Sequence, residues 1–491
     1  MNASVADAQS GSGPVLEARP SAAWALGLLP LIGLVALLFA ANLLFHFPGK
    51  MNSDSNNQYA EAVARSYTDW HPPVMAWVWS GLRFLADGPA PFLILHLTAY
   101  WCGFGLLADA IRRLGHSKTA IAFALAGAFP PFLYVNATIM KDVGMVAAWL
   151  PAVGLLFWFR SQQRRIPILA GVLIAALLAY GTLVRSNAIF AIGPLLVYAL
   201  ASPAWLRSLR LILAACVIAV LAVPISQVAN RVLFDAAPRN AVQSLFLFDL
   251  MGIAVVEKDP ALMVPRANIT MDDLKNCYSP YWWDTLSPWG KCASRVYRPD
   301  PTFVAWGEGL PMQWVKTIVA HPVAYAIHRL KHFNSSLHFA VPLKHSRLVP
   351  DYQPNDPAFK ALDVFTERDI KFDLLRKSPL LTPATWLTWG VVLLVLVAPR
   401  EDSSRIGLAR VLIVSALGYS CAYLLIGVAT DMRYHYWSII AILLATLLLL
   451  PQLGSGLRNR SKALIGGLAA VGVVVAIGTL SRVADFQAFV V

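Results

Sequence analysis

The sequence predicts an all-α polytopic membrane protein. Of its 491 residues, 57% are hydrophobic and only 14% are charged, whereas soluble domains carry roughly 25% charged residues. Apolar runs long enough to cross a bilayer recur through most of the chain, and the cations between them alternate from one connection to the next. About eleven transmembrane helices are expected, with interfacial helices in the first outer loop and a small extramembrane insert.

The formal net charge of +13 does not point to nucleic acid. Lys and Arg accumulate in cytoplasmic loops for orientation alone, and no basic patch interleaved with aromatics stands outside those loops. Residues 1–22, rich in Ser, Ala and Gly, read as a disordered cytoplasmic tail. The apolar run 23–47 exceeds a signal-peptide core and matches a full span. Further spans are expected at 89–111, 119–135, 143–159, 166–184, 188–202, 209–228, 380–398, 406–428, 436–450 and 464–480. The organisation is therefore a transmembrane core over 23–228, an external insert over 229–379 and C-terminal transmembrane helices over 380–491.

Alternate connections hold Arg112, Arg113 and Lys118, then Arg160, Arg164 and Arg165, then Arg207 and Arg210, then Arg400, Arg405 and Arg410, then Arg458, Arg460 and Lys462. By the positive-inside rule this side is the cytoplasm. The amino terminus is then cytoplasmic and the carboxyl terminus external. The outer side receives residues 53–73, the turns at Lys141–Asp142, Arg185 and Asp431–Tyr436, and the long insert. An Ala/Leu-rich chain without eukaryotic targeting signals points to a bacterial inner membrane.

Residues 53–73, SDSNNQYAEAVARSYTDWHPP, spend polar chemistry without a topological reason. If helical, their first half puts Asp54, Gln58, Glu61 and Arg65 on one stripe. The apolar stretch after His71 is about 15 residues, or ~22 Å as a helix, short of a ~30 Å hydrocarbon core. It is expected to lie along the interface, capped by Thr68 or Asp69, with Trp70, Trp77 and Trp79 at headgroup depth.

The insert holds Cys277 and Cys292, while Cys102, Cys216 and Cys421 fall in spans and behave as small apolar residues. On an oxidising side the first two can bridge, which contributes roughly 3 kcal/mol in the chain-entropy model; two unpaired thiols are the other reading. The chain has no zinc-type Cys pair, Gly-rich phosphate loop, nucleophile elbow or internal repeat.

Chemistry on the outer face cannot draw on cytoplasmic nucleotides. It takes a group already activated on a lipid, and so needs a base for the acceptor and cations for a phosphate leaving group. Asp54 is the candidate base, or else a solvated loop residue. Lys141 and Asp142 are further candidates, or else a charged pair marking a turn. Arg185, in LVRSNAIF, sits against the positive-inside trend where an unpaired charge costs about 2.5–3.5 kcal/mol. It implies a phosphate ligand or a structural salt bridge. Arg433, in DMRYHYW beside Tyr434, holds a phosphate or snorkels. His71 orients the acceptor or Asp54, or is structural.

An acid in the first outer loop followed by HPP, a second acid in the next outer turn, an outer arginine in VRSN and a late RY resemble the GT-C superfamily of integral-membrane glycosyltransferases. Aminoarabinose transferases of lipid A, protein O-mannosyltransferases and similar bacterial proteins belong to it. The resemblance covers the first seven spans and the last outer turn. It implies a GT-C-like fold, a polyprenyl-phosphate-linked sugar donor, Asp54 as catalytic aspartate, and Asp142 near the site, where relatives sometimes help to bind a divalent metal; no other cofactor is implied. Many relatives carry a paired Asp-Glu in the first loop, and this chain has Ser55 after Asp54. Asp69 is therefore a reserve base.

The expected reaction is a direct, inverting displacement. Asp54 deprotonates an acceptor hydroxyl of a cell-envelope glycan, lipid or protein, and Arg185, Arg433, Tyr434 and Lys141 stabilise the departing phosphate. A lipid or sugar transporter, or an O-antigen-ligase-like assembly protein, is the alternative.

Overall fold

The computed structural model describes residues 26–206, 208–263, 269–296, 309–346, 378–397, 403–456 and 461–484. The expected tail over 1–22, the stretch 347–377 within the insert, and Arg207, Arg400, Arg458 and Arg460 lie outside the described residues. Among those described, the chain is helical throughout, 78% of it, with no strands.

Six helices and two short ones build the first half: α1 (Leu28–His46), α2 (Ser53–Ala64), α3 (Val74–Leu82), α4 (Ala90–Arg113), α5 (Ser117–Ala126), α6 (Pro130–Asn136), α7 (Lys141–Ser161) and α8 (Ile168–Val184). Then come α9 (Ile189–Leu200) and α10 (Ser208–Phe234). The insert contributes α11 (Gln243–Glu257), α12 (Met271–Cys277), α13 (Ala293–Val296), α14 (Gly309–Ala320) and α15 (Pro322–Ser336). The chain returns through α16 (Pro383–Val397), α17 (Ser404–Ile426), α18 (Tyr436–Gly456) and α19 (Ser461–Val483).

Among the described residues, seven helical segments are long and apolar enough to cross a membrane: α1, α4, α7, α10, α17, the segment Met432–Leu450 and α19. The pair α5 and α6 passes the same test only as one span bent by 45°. Phe129 and Pro130 break it, since a proline cannot continue the preceding helix's hydrogen bonds. The other expected spans are occupied by shorter apolar helices, Ile168–Val184, Ser186–Leu200 and Pro383–Val397. The span expected to end at 228 instead runs on to Phe234, six residues past the expected boundary with the insert.

Packing sorts these helices by position. The apolar window of α7 is 83% buried within the protein and that of Met432–Leu450 is 78% buried, whereas that of α19 is 6% buried. The first two therefore form the centre, and α19 faces outward with α1 and α10. Small residues let the central helices close up. A Cβ on Gly103 of α4 would come within 2.6 Å of the Leu150 Cβ on α7, so only glycine permits that contact.

Arginines expected in cytoplasmic connections gather at one end of the bundle, where they hold chain ends. Arg112 and Arg113 both pair with Asp109, Arg410 donates to the Val397 carbonyl at 2.8 Å, and Arg405 meets His116 at 3.0 Å. Lys and Arg beside the last carbonyls of helices satisfy acceptors the helix leaves open.

The insert has its own small core, in which Leu247, Phe248, Met251, Leu274, Trp283 and Leu310 are buried. Trp70 of the first loop and Val428 after α17 pack on it. Cys277 and Cys292 are joined in a disulfide. The loop so closed is tied back to the bundle by the Trp283 N–H, which donates to the Val428 carbonyl at 2.9 Å.

Candidate active site

The polar stretch 53–73 is organised from its helix start. Asn52 caps α2: its side chain accepts from the Ser55 N–H at 2.9 Å, and Ser55 turns back towards the Asn52 N–H, satisfying donors that a helix start leaves open. The Ser55 hydroxyl also donates to the Ile139 carbonyl, immediately before α7. A short parallel bridge completes the junction, with the Lys50 N–H on Ala137 and the Ile139 N–H on Lys50. The starts of α2 and α7 are thereby fixed side by side, which sets Asp54 against Lys141 and Asp142.

The apolar stretch after His71 differs from expectation. It forms nine helical residues, α3, with Pro73 at the N-cap position and no side-chain cap. Thr68 does not cap it but donates to the Glu61 carboxylate at 2.6 Å, and Asp69 accepts from the Arg239 backbone N–H. Trp79 is fully buried against Phe92 and Tyr59, so of the helix's two tryptophans only Trp77 is exposed to the surroundings. The stripe on α2 stops short too, because Arg65 follows the helix in the left-handed region.

Six chain segments meet at the end of the bundle opposite the arginine-rich one: the α2 start, the stretch before α3, the α7 start, the α8 end, the α17 end and the turn Met432–His435 before α18. Arg433 is at their centre and is 4% exposed. Its guanidinium faces Asp54 Oδ2 at 3.3 and 3.4 Å, Asp142 Oδ2 at 3.6 Å and Asp431 Oδ2 at 3.1 Å, and donates to the Tyr434 hydroxyl at 3.1 Å. Lys141 Nζ is 3.8 Å from Asp54 Oδ2 and 2.7 Å from His71 Nδ1. Arg185 Nε is 3.1 Å from Asp142 Oδ1, and its guanidinium donates to the Tyr423 hydroxyl at 3.1 Å and lies over the Tyr434 ring.

This is a balanced set of charges. Three cations, Lys141, Arg185 and Arg433, face three carboxylates, Asp54, Asp142 and Asp431. Burial this deep is tolerated only for paired charges. Asp142 is completely buried, while the Asp54 side chain keeps 27% of its surface exposed. Asp54 is thus the carboxylate an incoming molecule can touch.

The electrostatics of the first loop follow. Burial by itself raises the Asp54 carboxyl, but Lys141, Arg433, His71 and Arg185 outweigh it and hold the group well below the usual carboxylate range. Burial, with Lys141 adjoining, pushes His71 down to about 3, so its imidazole is neutral. An ammonium has only donors, so Lys141 donates to Nδ1 and the ring proton is on Nε2. That N–H is directed towards Asp54 Oδ1 at 3.9 Å, beyond direct hydrogen-bonding range. Glu61, desolvated although it accepts from Thr68, is raised.

Of the residues expected at the site, Asp54, His71, Lys141, Asp142, Arg185, Arg433 and Tyr434 come together here, and Asp69 is engaged elsewhere. Sequence reasoning passed over Tyr423 and Asp431. Tyr419 and Tyr423, one helical turn apart near the end of α17, were the available signal for the first. His435 turns away, hydrogen-bonded to Ser420 and Ser336. A divalent metal does not fit around Asp142: Arg185 faces one carboxylate oxygen and Arg433 the other, and no group of three His, Cys, Asp or Glu among the described residues is placed to hold an ion.

No curated protein and no solved structure matches the chain. Residues 70–228 match the family model described as dolichyl-phosphate-mannose-protein mannosyltransferase. That stretch contains His71, Lys141, Asp142 and Arg185, and Asp54 and Arg433 lie on either side of it. The match covers that stretch alone and supports a likeness to the integral-membrane glycosyltransferases of the GT-C superfamily.

Proposed function

We propose that this protein moves a sugar from a polyprenyl-phosphate carrier to a hydroxyl of a cell-envelope glycan, lipid or protein on the outer face of a bacterial inner membrane. In this reading the chain crosses the bilayer eleven times from a cytoplasmic amino terminus. The bent pair α5–α6 and the shorter apolar helices α8, α9 and α16 count as crossings, and α2 and α3 lie near the outer interface.

One observation carries the proposal: a part-exposed carboxylate, Asp54, stands in front of two buried cations, Lys141 and Arg433, with a neutral imidazole N–H beside it. A base for an acceptor hydroxyl and cations for a phosphate leaving group are thereby within a few ångströms of each other. The acceptor oxygen attacks the anomeric carbon as Asp54 takes its proton, the bond to the carrier phosphate breaks, and configuration inverts. Lys141, Arg433 and Arg185 bear the charge that develops on the phosphate, with the Tyr434 hydroxyl beside them. His71, locked in one tautomer by Lys141, orients the acceptor hydroxyl or Asp54.

Asp54→Asn, assayed for glycan or glycolipid transfer in membranes, tests this. Loss of product with normal protein level and retained carrier binding is expected. Product at the wild-type rate removes Asp54 from the mechanism.

A further inference from the structure

Asp54 is the most loosely held acid at this site. Its contacts are 3.3 and 3.4 Å to Arg433, 3.8 Å to Lys141 and 3.9 Å to His71. Charge-assisted hydrogen bonds run shorter, at about 2.7–2.9 Å. Asp142 and Asp431 are each held by an arginine Nε at 3.1 Å. Asp54 is also the exposed member, at 27% against 0% for Asp142 and 14% for Asp431.

A second relation follows from burial. Arg433 and Lys141 are 4% and 6% exposed, and the acid in front of them is Asp54. The charges named here already balance, so another anion enters by replacing a carboxylate and not by filling a vacant cation. The one that is both reachable and loosely held is Asp54.

We infer that Asp54 and the donor's phosphate compete for Arg433 and Lys141, so that arrival of the donor is what frees the base. In the absence of a phosphate, the carboxylate is held by the cations and is a poor proton acceptor. When a phosphate takes those cations, Asp54 loses its compensation and gains an anionic neighbour. Both changes favour its protonated form and raise its basicity. The donor therefore binds before the acceptor is activated, and an acceptor meeting the protein alone finds an ineffective base. This rests on the proposed function, which supplies the phosphate. It adds that Arg433 is a positioning residue for the base as well as a ligand for the leaving group.

Carbodiimide labelling read by mass spectrometry tests the exchange without an assay for transfer, because the reagent attacks protonated carboxyls. The full-length protein in detergent is labelled near pH 6 alone, with a long-chain polyprenyl monophosphate, with the neutral polyprenol, and with inorganic phosphate. Retention of radiolabelled polyprenyl phosphate is measured on the same samples, and Asp142 serves as the internal reference. Asp54 labelling is expected to rise several-fold with the polyprenyl monophosphate and to stay at baseline with the polyprenol, while Asp142 does not change. A rise with inorganic phosphate of the same size supports the exchange and assigns it to the phosphate group irrespective of the lipid. Retained polyprenyl phosphate with unchanged or reduced Asp54 labelling overturns the exchange and leaves the donor reading standing. Absence of retention overturns both.

Discussion

Arg433 and Asp54, 379 positions apart in sequence, face each other at 3.3 Å at one end of the helix bundle. Arg433 comes from the turn before α18 and Asp54 from the first turn of α2. The pair joins the two ends of the chain's membrane region, and its guanidinium also reaches Asp142 and Asp431. A lysine puts its three donors on one compact nitrogen and has no planar fork, so it does not reproduce the separate Nε and Nη contacts that the guanidinium makes to the three carboxylates. Arg433→Lys is expected to lower the transfer rate about 10²-fold while the protein stays in the membrane. The rate is compared at matched protein level, and a wild-type rate would remove Arg433 from the chemistry.

Ser55 follows Asp54, where the resemblance led to the expectation of a second acid. Here it is fully buried, completes the α2 cap and donates to the Ile139 carbonyl. A carboxylate in its place would face that carbonyl oxygen with no proton to give. Ser55→Asp is therefore expected to destabilise the protein by about 1–3 kcal/mol, the cost of an unsatisfied buried polar group, with a lowered midpoint in thermal unfolding. Ser55→Ala should lose less, since it leaves no buried charge. An aspartate variant as stable as wild type, with raised activity, would show that a second acid is compatible with this junction.

The disulfide closes a loop whose Trp283 is buried in the insert core and bonded to Val428, near the turn that carries Asp431 and Arg433. Replacing Cys277 and Cys292 together by serine is expected to cost roughly 3 kcal/mol in the chain-entropy model. It should also raise proteolysis within the insert, with the transmembrane region intact on a gel. Unchanged proteolysis would show that the insert core holds the loop unaided.

His71 gives a pH dependence of defined sign. Its folded value, about 3, lies below the ordinary 6.5, because burial and Lys141 disfavour the imidazolium. Between those values the unfolded chain binds a proton that the folded one does not, so stability falls as pH drops from about 6.5 towards 3. Asp54, also depressed, adds a loss only when pH falls below the ordinary carboxylate value. His71→Gln should flatten the decline of the thermal midpoint between pH 6.5 and 4.5 relative to wild type. Equal slopes would mean that His71 is not buried in its neutral form.

The membrane character of the chain, the positions of the seven span-length helices among the described residues and the grouping of its polar turns were legible because hydropathy reports burial in an apolar environment directly. Residues such as Asp54, Lys141 and Arg185 stood out since a charge beside apolar helices needs a partner. What remained hidden depends on contacts between distant segments. Nothing local in 53–73 says that Ser55 bonds to Ile139, that Asp69 holds Arg239, or that Trp79 is in the core. Pro72 and Pro73 suggested a helix start, yet its length was overestimated, because apolar Phe84 and Leu85 continue past Leu82 as an exposed turn.

Arg185 had two readings from sequence, a phosphate ligand or a structural ion pair, and its 3.1 Å contact with fully buried Asp142 gives the second a physical basis. The two are separable by experiment. Removing Arg185 alone leaves the buried Asp142 carboxylate with its longer contact to Arg433, at 3.6 Å, and losing one partner of a buried pair costs up to about 3–5 kcal/mol, so Arg185→Gln is expected to be unstable for a reason unrelated to catalysis. Neutralising both partners, Arg185→Gln with Asp142→Asn, removes the pair without leaving a lone charge and should restore most of the thermal stability. If Arg185 also bears charge on the departing phosphate, the stable double variant still transfers slowly, about 10²-fold below wild type. Should the double variant regain stability and rate together, Arg185 would be a scaffold residue, and the phosphate would rest on Lys141 and Arg433.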